Sequence, residues 1–233
     1  MCFSASASFS AAAVCAAVGV MALRRAAKPD LMLAFIPIIF SAHQVLEGFV
    51  WLTNAEGWGR CAGYSFAIIA FCLWPVYIPL AAWLSCSGDR RRMFMLFFLA
   101  LGVVIAAAAA SVLHSGLLID FATNQIKYLP RRRYPLIFDY LYAASVVGPL
   151  VLHRSNYIKV FGCLILTFFG VSILVFNPAR YSVWCFFAAV SSIVLYFFIV
   201  SAIMRGEREG VGSKLSTRTW PICMDRPPVA SRK

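Results

Sequence analysis

An imidazole, a carboxamide and a carboxylate stand close together in His43-Gln44-Val45-Leu46-Glu47-Gly48-Phe49-Val50-Trp51, inside an otherwise apolar run. His43 and Glu47 are four residues apart, so on a helix they share one face. The run is long enough to cross a bilayer. Ionisable groups at that depth face a protein interior or a wet cavity, and they are candidates for function. Cys2 adds a thiol and, once Met1 is removed, a free amine. Thiolate, amine, imidazole and carboxylate would complete a four-coordinate site suited to zinc or copper. If Met1 stays, its thioether tilts the preference towards copper. The expected metal ligands are therefore Cys2, His43 and Glu47, with His114 next in line. His43 and His114 could instead serve as axial ligands of a haem, the weaker alternative. Gln44, Asp139 and Tyr140 would surround the ligands, Asp139 as the partner that fixes a histidine tautomer.

Structural readings stand beside these. A buried His–Glu pair on one helix also works as polar glue between helices, hydrogen-bonded to Gln44, Tyr140 or a neighbouring backbone. Cys2 could be a small interfacial residue, or could pair with Cys61 in an oxidising compartment. His114, at a helix end, also reads as a cap or a solvated side chain. His153, beside Arg154, reads as solvated.

The elements that must position these groups are apolar spans. Seven are expected: Ser4–Leu23, Leu31–Leu52, Ala62–Ser85, Met93–Leu113, Leu136–Leu152, Val160–Phe176 and Tyr181–Met204, of which the fifth and sixth are the shortest. Backbone groups in lipid must be satisfied within the segment, so the spans are helices and the fold is an all-α polytopic membrane bundle. Composition agrees, at 62% hydrophobic and 13% charged residues over 233 positions, which excludes an ordinary soluble domain. The net charge of +12 does not imply nucleic acid, because the basic residues sit in short gaps where they orient a membrane protein. The eight cysteines form no CxxC pair, which argues against a disulfide scaffold or a zinc finger.

Arg24, Arg25 and Lys28, then Arg90–Arg92, then Arg154 and Lys159, and finally the basic tail fall in alternate gaps. All lie on one side of seven spans, placing the N-terminus outside and the C-terminus in the cytoplasm. Residues 1–204 form the transmembrane domain and 205–233 a flexible cytoplasmic tail. The fourth gap breaks the pattern with Lys127 and Arg131–Arg133, a cluster suited to lipid headgroups or an acidic partner. Trp51, Trp58, Tyr64, Tyr181 and Trp184 would form an outer aromatic belt. At about 1.5 Å per residue, His43 lies about 14 Å below the outer end of its helix and Glu47 about 8 Å.

The opening MCFSASASF, the HQVLEGFVW segment, LWPVYIPLA (Leu73–Ala81) and SVWCFFAA (Ser182–Ala189) resemble a family of uncharacterised bacterial membrane proteins that begin MCFSA. The resemblance covers the spans and not the tail. It implies a bacterial inner-membrane helix bundle, with Cys2, His43 and Glu47 in one pattern and no established activity. The expected function is an outward-facing polar pocket that binds copper or zinc in contact with the lipid bilayer. The alternatives are an accessory subunit docked on other membrane proteins, a haem binder or a metal-dependent membrane enzyme. The seventh span has neither the paired histidines of ceramidase-like zinc hydrolases nor the lysine that retinal requires. A through-path for ions lacks a carboxylate near the cytoplasmic side.

Overall fold

Why the third span bends is visible in its backbone. The computed structural model describes residues 4–201, except 87, 123–124, 133–134 and 177–178, together with Met204. In it, Ala62–Ser85 is the core of two helices, α3 (Trp58–Ile68) and α4 (Trp74–Ser85), joined by a wider π turn, Ile69–Leu73. The Trp74 N–H reaches back five residues to the Ile69 carbonyl. Pro75 has no N–H to offer, so the Ala70 carbonyl is left without a helical donor. Tyr142 supplies one, its hydroxyl donating to Ala70 O at 2.5 Å. Pro79 withholds the donor that the Pro75 carbonyl would otherwise receive, and that carbonyl lies against Gly102. A Cβ on Gly102 would fall 1.7 Å from it, so only glycine fits this crossing.

The remaining helices follow the expected spans closely. Helix α1 (Ala5–Leu23) opens on Ser4, whose Oγ accepts the Ala7 N–H at 3.3 Å as an N-cap. It packs antiparallel on α2 (Leu31–Thr53), with Phe9 against Gly48 and Gly19 against Ile38. These small residues let the two backbones approach. Asn54, in the left-handed region at φ 49°, ends α2 and donates its N–H to Val50 O. Helices α5 (Asp89–His114), α6 (Ile137–Val151), α7 (Asn156–Val175) and α8 (Arg180–Ser191) complete the bundle, and α8 leads on into an apolar span that reaches Ser201. Among the described residues, six helices are long and apolar enough to cross a membrane, while α6 has only 15 residues.

The fourth gap carries an antiparallel hairpin, β1 (Leu117–Ala122) with β2 (Gln125–Pro130), pairing Leu117 with Pro130 and Ala122 with Gln125. Side chains alternate across a strand. Ile126 and Tyr128 are therefore buried in the bundle, while Lys127 pairs with Asp120 at 3.6 Å on the outer face. Arg131 and Arg132 are exposed beyond the hairpin; Arg133 lies outside the described residues. The aromatic belt is corrected at Trp184, which is buried and donates its Nε1–H to Ile165 O at 3.1 Å; Trp58 is 87% exposed.

Loop contacts order the two ends of the bundle. Arg25 donates to Tyr196 Oη, and Ser85 Oγ donates to Asp30 Oδ1 at 2.5 Å, bringing the first and third gaps and the end of the last span together. At the other end, Tyr64 Oη accepts the Leu117 N–H at 2.9 Å. His153, expected to be solvated, is 3% exposed and set edge-on against Phe198. Burial, with the Arg91 and Lys159 charges, pulls its imidazole down to about 4.

Two outcomes follow. Gly102→Ala should lower the melting temperature of the purified protein by overpacking, at a cost of about 1–3 kcal/mol. For His153 the folded state binds fewer protons than the unfolded one between its lowered value and about 6.5. Its stabilisation is therefore complete above that window and lost as pH falls through it, by a contribution on the order of 2 kcal/mol. Thermal melts from pH 7 to 4 should show this loss in the wild type and a shallower one in His153→Asn.

Candidate functional site

Helix α2 carries His43, Gln44 and Glu47 to the middle of the bundle, where they are 0%, 0% and 2% exposed. The expected common face holds, but His43 and Glu47 turn to different partners. His43 Nε2–H donates to the Phe66 carbonyl of α3 at 3.1 Å, which leaves Nδ1 as the bare nitrogen, without a protein partner. The imidazole also stacks on the Phe66 ring, with centroids 3.9 Å apart and planes 21° from parallel. Phe66 in turn stacks on Tyr128 of the hairpin at 4.4 Å. A column of three rings thus runs from α2 through α3 to β2, each offset stack contributing about 0.5–1.5 kcal/mol. Trp74, itself stacked on Phe40 at 4.3 Å, closes the far side of His43 edge-on.

Glu47 faces α8 instead. Ser182 Oγ–H donates to Glu47 Oε1. The Gln44 amide faces the same carboxylate, although neither of its polar atoms meets hydrogen-bond geometry with any group. The Tyr128 phenol and the Cys185 thiol are near enough to feel the Glu47 charge. Burial, then Glu47 and Cys185, hold the Tyr128 phenol well above its ordinary range, and its hydroxyl has no partner. The site is therefore a buried polar cluster of His43, Gln44, Glu47, Tyr128, Ser182 and Cys185 drawn from α2, β2 and α8. A cavity of about 20 Å³, bounded by Phe40, Trp74, Trp184 and Cys185, adjoins it.

Of the other candidates from the sequence, His114, Asp139 and Tyr140 lie elsewhere. Cys2 is outside the described residues. Phe9 beside Gly48 and Gly19 beside Ile38 set the register of α1 on α2, which brings Ser4 level with Thr53. Thr53 is about 15 Å along the axis from His43. His114 is exposed at the end of α5, outside the buried cluster, so the two histidines do not face a common cavity. Asp139 is taken by α8: Arg180 Nη2 donates to Oδ2 at 3.1 Å and Tyr181 Oη to Oδ1 at 2.8 Å. That clamp ties α6 to α8, while the His43 tautomer is fixed by the Phe66 carbonyl. Tyr140 points outward at 57% exposure. Among the described residues, no group of three or more His, Cys, Asp or Glu side chains is placed to hold a metal ion. Tyr128, Ser182 and Cys185 escaped the sequence reading. The SVWC spacing, which puts Ser182 and Cys185 on one helix face, and the Ile126–Leu129 alternation are the signals that mark them.

Residues 1–209 match the model of a family described as being of unknown function (DUF6629). No curated protein and no solved structure matches the chain.

The unequal partnering gives a paired outcome. Ser182→Ala, which strips Glu47 of its donor, should lower stability by about 1–3 kcal/mol. Tyr128→Phe, which deletes an unpartnered hydroxyl and keeps the ring stack, should leave the melting temperature unchanged or raise it. Melts in detergent of the two variants against wild type check both.

Proposed function

The chain belongs to this family of unknown function, and we propose that it is a seven-helix protein of the bacterial inner membrane whose Glu47 cluster takes up a small cation. The observation that carries the reading is Glu47 itself. It is a buried carboxylate with a hydroxyl, an amide, a phenol and a thiol around it, and among the described residues no Lys or Arg pairs with it. A carboxylate so far from water is tolerated only when protonated or when a positive ion sits against it. Imidazole, thiol and carboxylate together suit zinc or copper. With the N-terminus outside and the tail of residues 205–233 in the cytoplasm, access is from the outer face, beneath the hairpin.

The test combines elemental analysis with melting curves on protein purified gently from native membranes. Wild type should carry zinc or copper near one equivalent and, after chelation, gain melting temperature when that ion is restored. Glu47→Gln and His43→Ala should lose both responses while remaining folded. Metal-free wild type that neither ion stabilises, with Glu47→Gln melting at or above the wild-type temperature, would overturn the reading. The carboxylate would then be a protonated strut between α2 and α8.

A further inference from the structure

The hairpin that bears Tyr128 is built as a unit apart from the helices it rests on. Its two strands satisfy each other's backbone groups, and the Arg131 N–H donates to Gly116 O at 3.0 Å across its neck. Among the described residues, its one hydrogen bond to the rest of the bundle is Leu117 N–H to Tyr64 Oη. Apolar contact holds the rest of it down. Ile119 reaches Gly63 of α3, and Phe121 sets its ring edge-on to Trp51 of α2 at 5.8 Å. Ile126 and Tyr128 share one buried cluster with Phe66, Leu113 and Cys185. A supersecondary motif whose hydrogen bonds are internal can lift as one piece, because opening parts side chains and leaves the ladder whole.

What lies beneath gives such a motion a purpose. Strand β2 packs on α8. There Cys185, 6% exposed, stands one turn along from Ser182, the donor to Glu47. Tyr128 is the hairpin side chain that enters this cluster, with its ring on Phe66 and its hydroxyl buried and unpartnered. That hydroxyl regains water when the hairpin lifts, which weighs against tight closure. Resting on the cation reading of Glu47, we propose that the hairpin is a lid over that site. Closed, as in this structure, Tyr128 stoppers the path to Glu47; the two strands lift together to admit the ion. Lifting bares Glu47 and Cys185 to the same opening.

The experiment alkylates the full-length protein in detergent with iodoacetamide and follows Cys185 and Cys15 separately by peptide mass spectrometry. Cys15, 1% exposed and bonded through Sγ–H to the Ala189 carbonyl of α8, reports opening of the bundle as a whole. Wild-type Cys185 should react roughly tenfold or more faster than Cys15, as local opening precedes global. Gly63→Cys with Ile119→Cys, made with Cys61→Ser, provides a lock. A Cβ on Gly63 would lie 2.2 Å from the end of the Ile119 side chain, which puts the two new thiols within disulfide reach. Oxidised, this variant should hold Cys185 to the Cys15 rate; reduction should release it. Tyr128→Phe keeps the stopper ring without the unpartnered hydroxyl and should slow Cys185, whereas Phe121→Ala loosens the hairpin at α2 and should speed it. Equal rates at Cys185 and Cys15 in the wild type overturn the proposal, as does a Cys185 rate that the oxidised lock leaves unchanged. If the lock does not form, a Cys185 rate moved by neither single substitution overturns it. No step of this assay needs a bound ion. Lid motion in a protein that neither zinc nor copper stabilises would therefore overturn the cation reading alone.

Discussion

The bundle depends on a break in one helix. A span in lipid must satisfy its own backbone groups, and the third span does not. Its π turn and its two prolines leave carbonyls that need neighbours, and two helices answer. Tyr142 of α6 donates to Ala70, and Gly102 of α5 closes over Pro75. His43 of α2 joins the same segment one turn earlier, at Phe66. The span that looks weakest by propensity is therefore the one around which the others are arranged. A straight helix there would offer its neighbours a smooth apolar face and no directional contacts.

The same break sets the chemistry of the cluster. By engaging Nε2, the Phe66 carbonyl decides which nitrogen of His43 is bare. The Phe66 ring, lying between His43 and Tyr128, keeps imidazole and phenol apart as two faces of one stack. Glu47 is left to α8, where a single hydroxyl bond is its closest support. A carboxylate held this lightly is poorly suited to the role of structural anchor. The contrast is Asp139, which has an arginine and a tyrosine on its two oxygens and clamps α6 to α8.

The spans were legible because apolar runs bounded by basic gaps are written in composition, and the i, i+4 spacing correctly put His43 and Glu47 on one buried face. Their partners were not legible. Nothing local says that His43 will bond backward to α3 or that Ser182 will reach Glu47 across 135 positions of sequence. Those contacts follow from how the broken span tilts its neighbours. The hairpin went unread because Ile126-Lys127-Tyr128-Leu129 alternates over few residues and its arginines dominate the gap. His153 was misread for a related reason. Its neighbour Arg154 is exposed, and a tight turn sends adjacent side chains in opposite directions, so charge next door says little about burial.

Helix α6 has a consequence for the membrane itself. Fifteen residues rise about 22 Å, against a hydrocarbon core of about 30 Å. The helices on either side of it in the chain are long enough to cross that core. In a bilayer, lipid beside α6 would have to shorten or splay to meet its ends, while lipid beside the longer helices would not. A bundle with one such short helix would be most at ease where the bilayer is already thin.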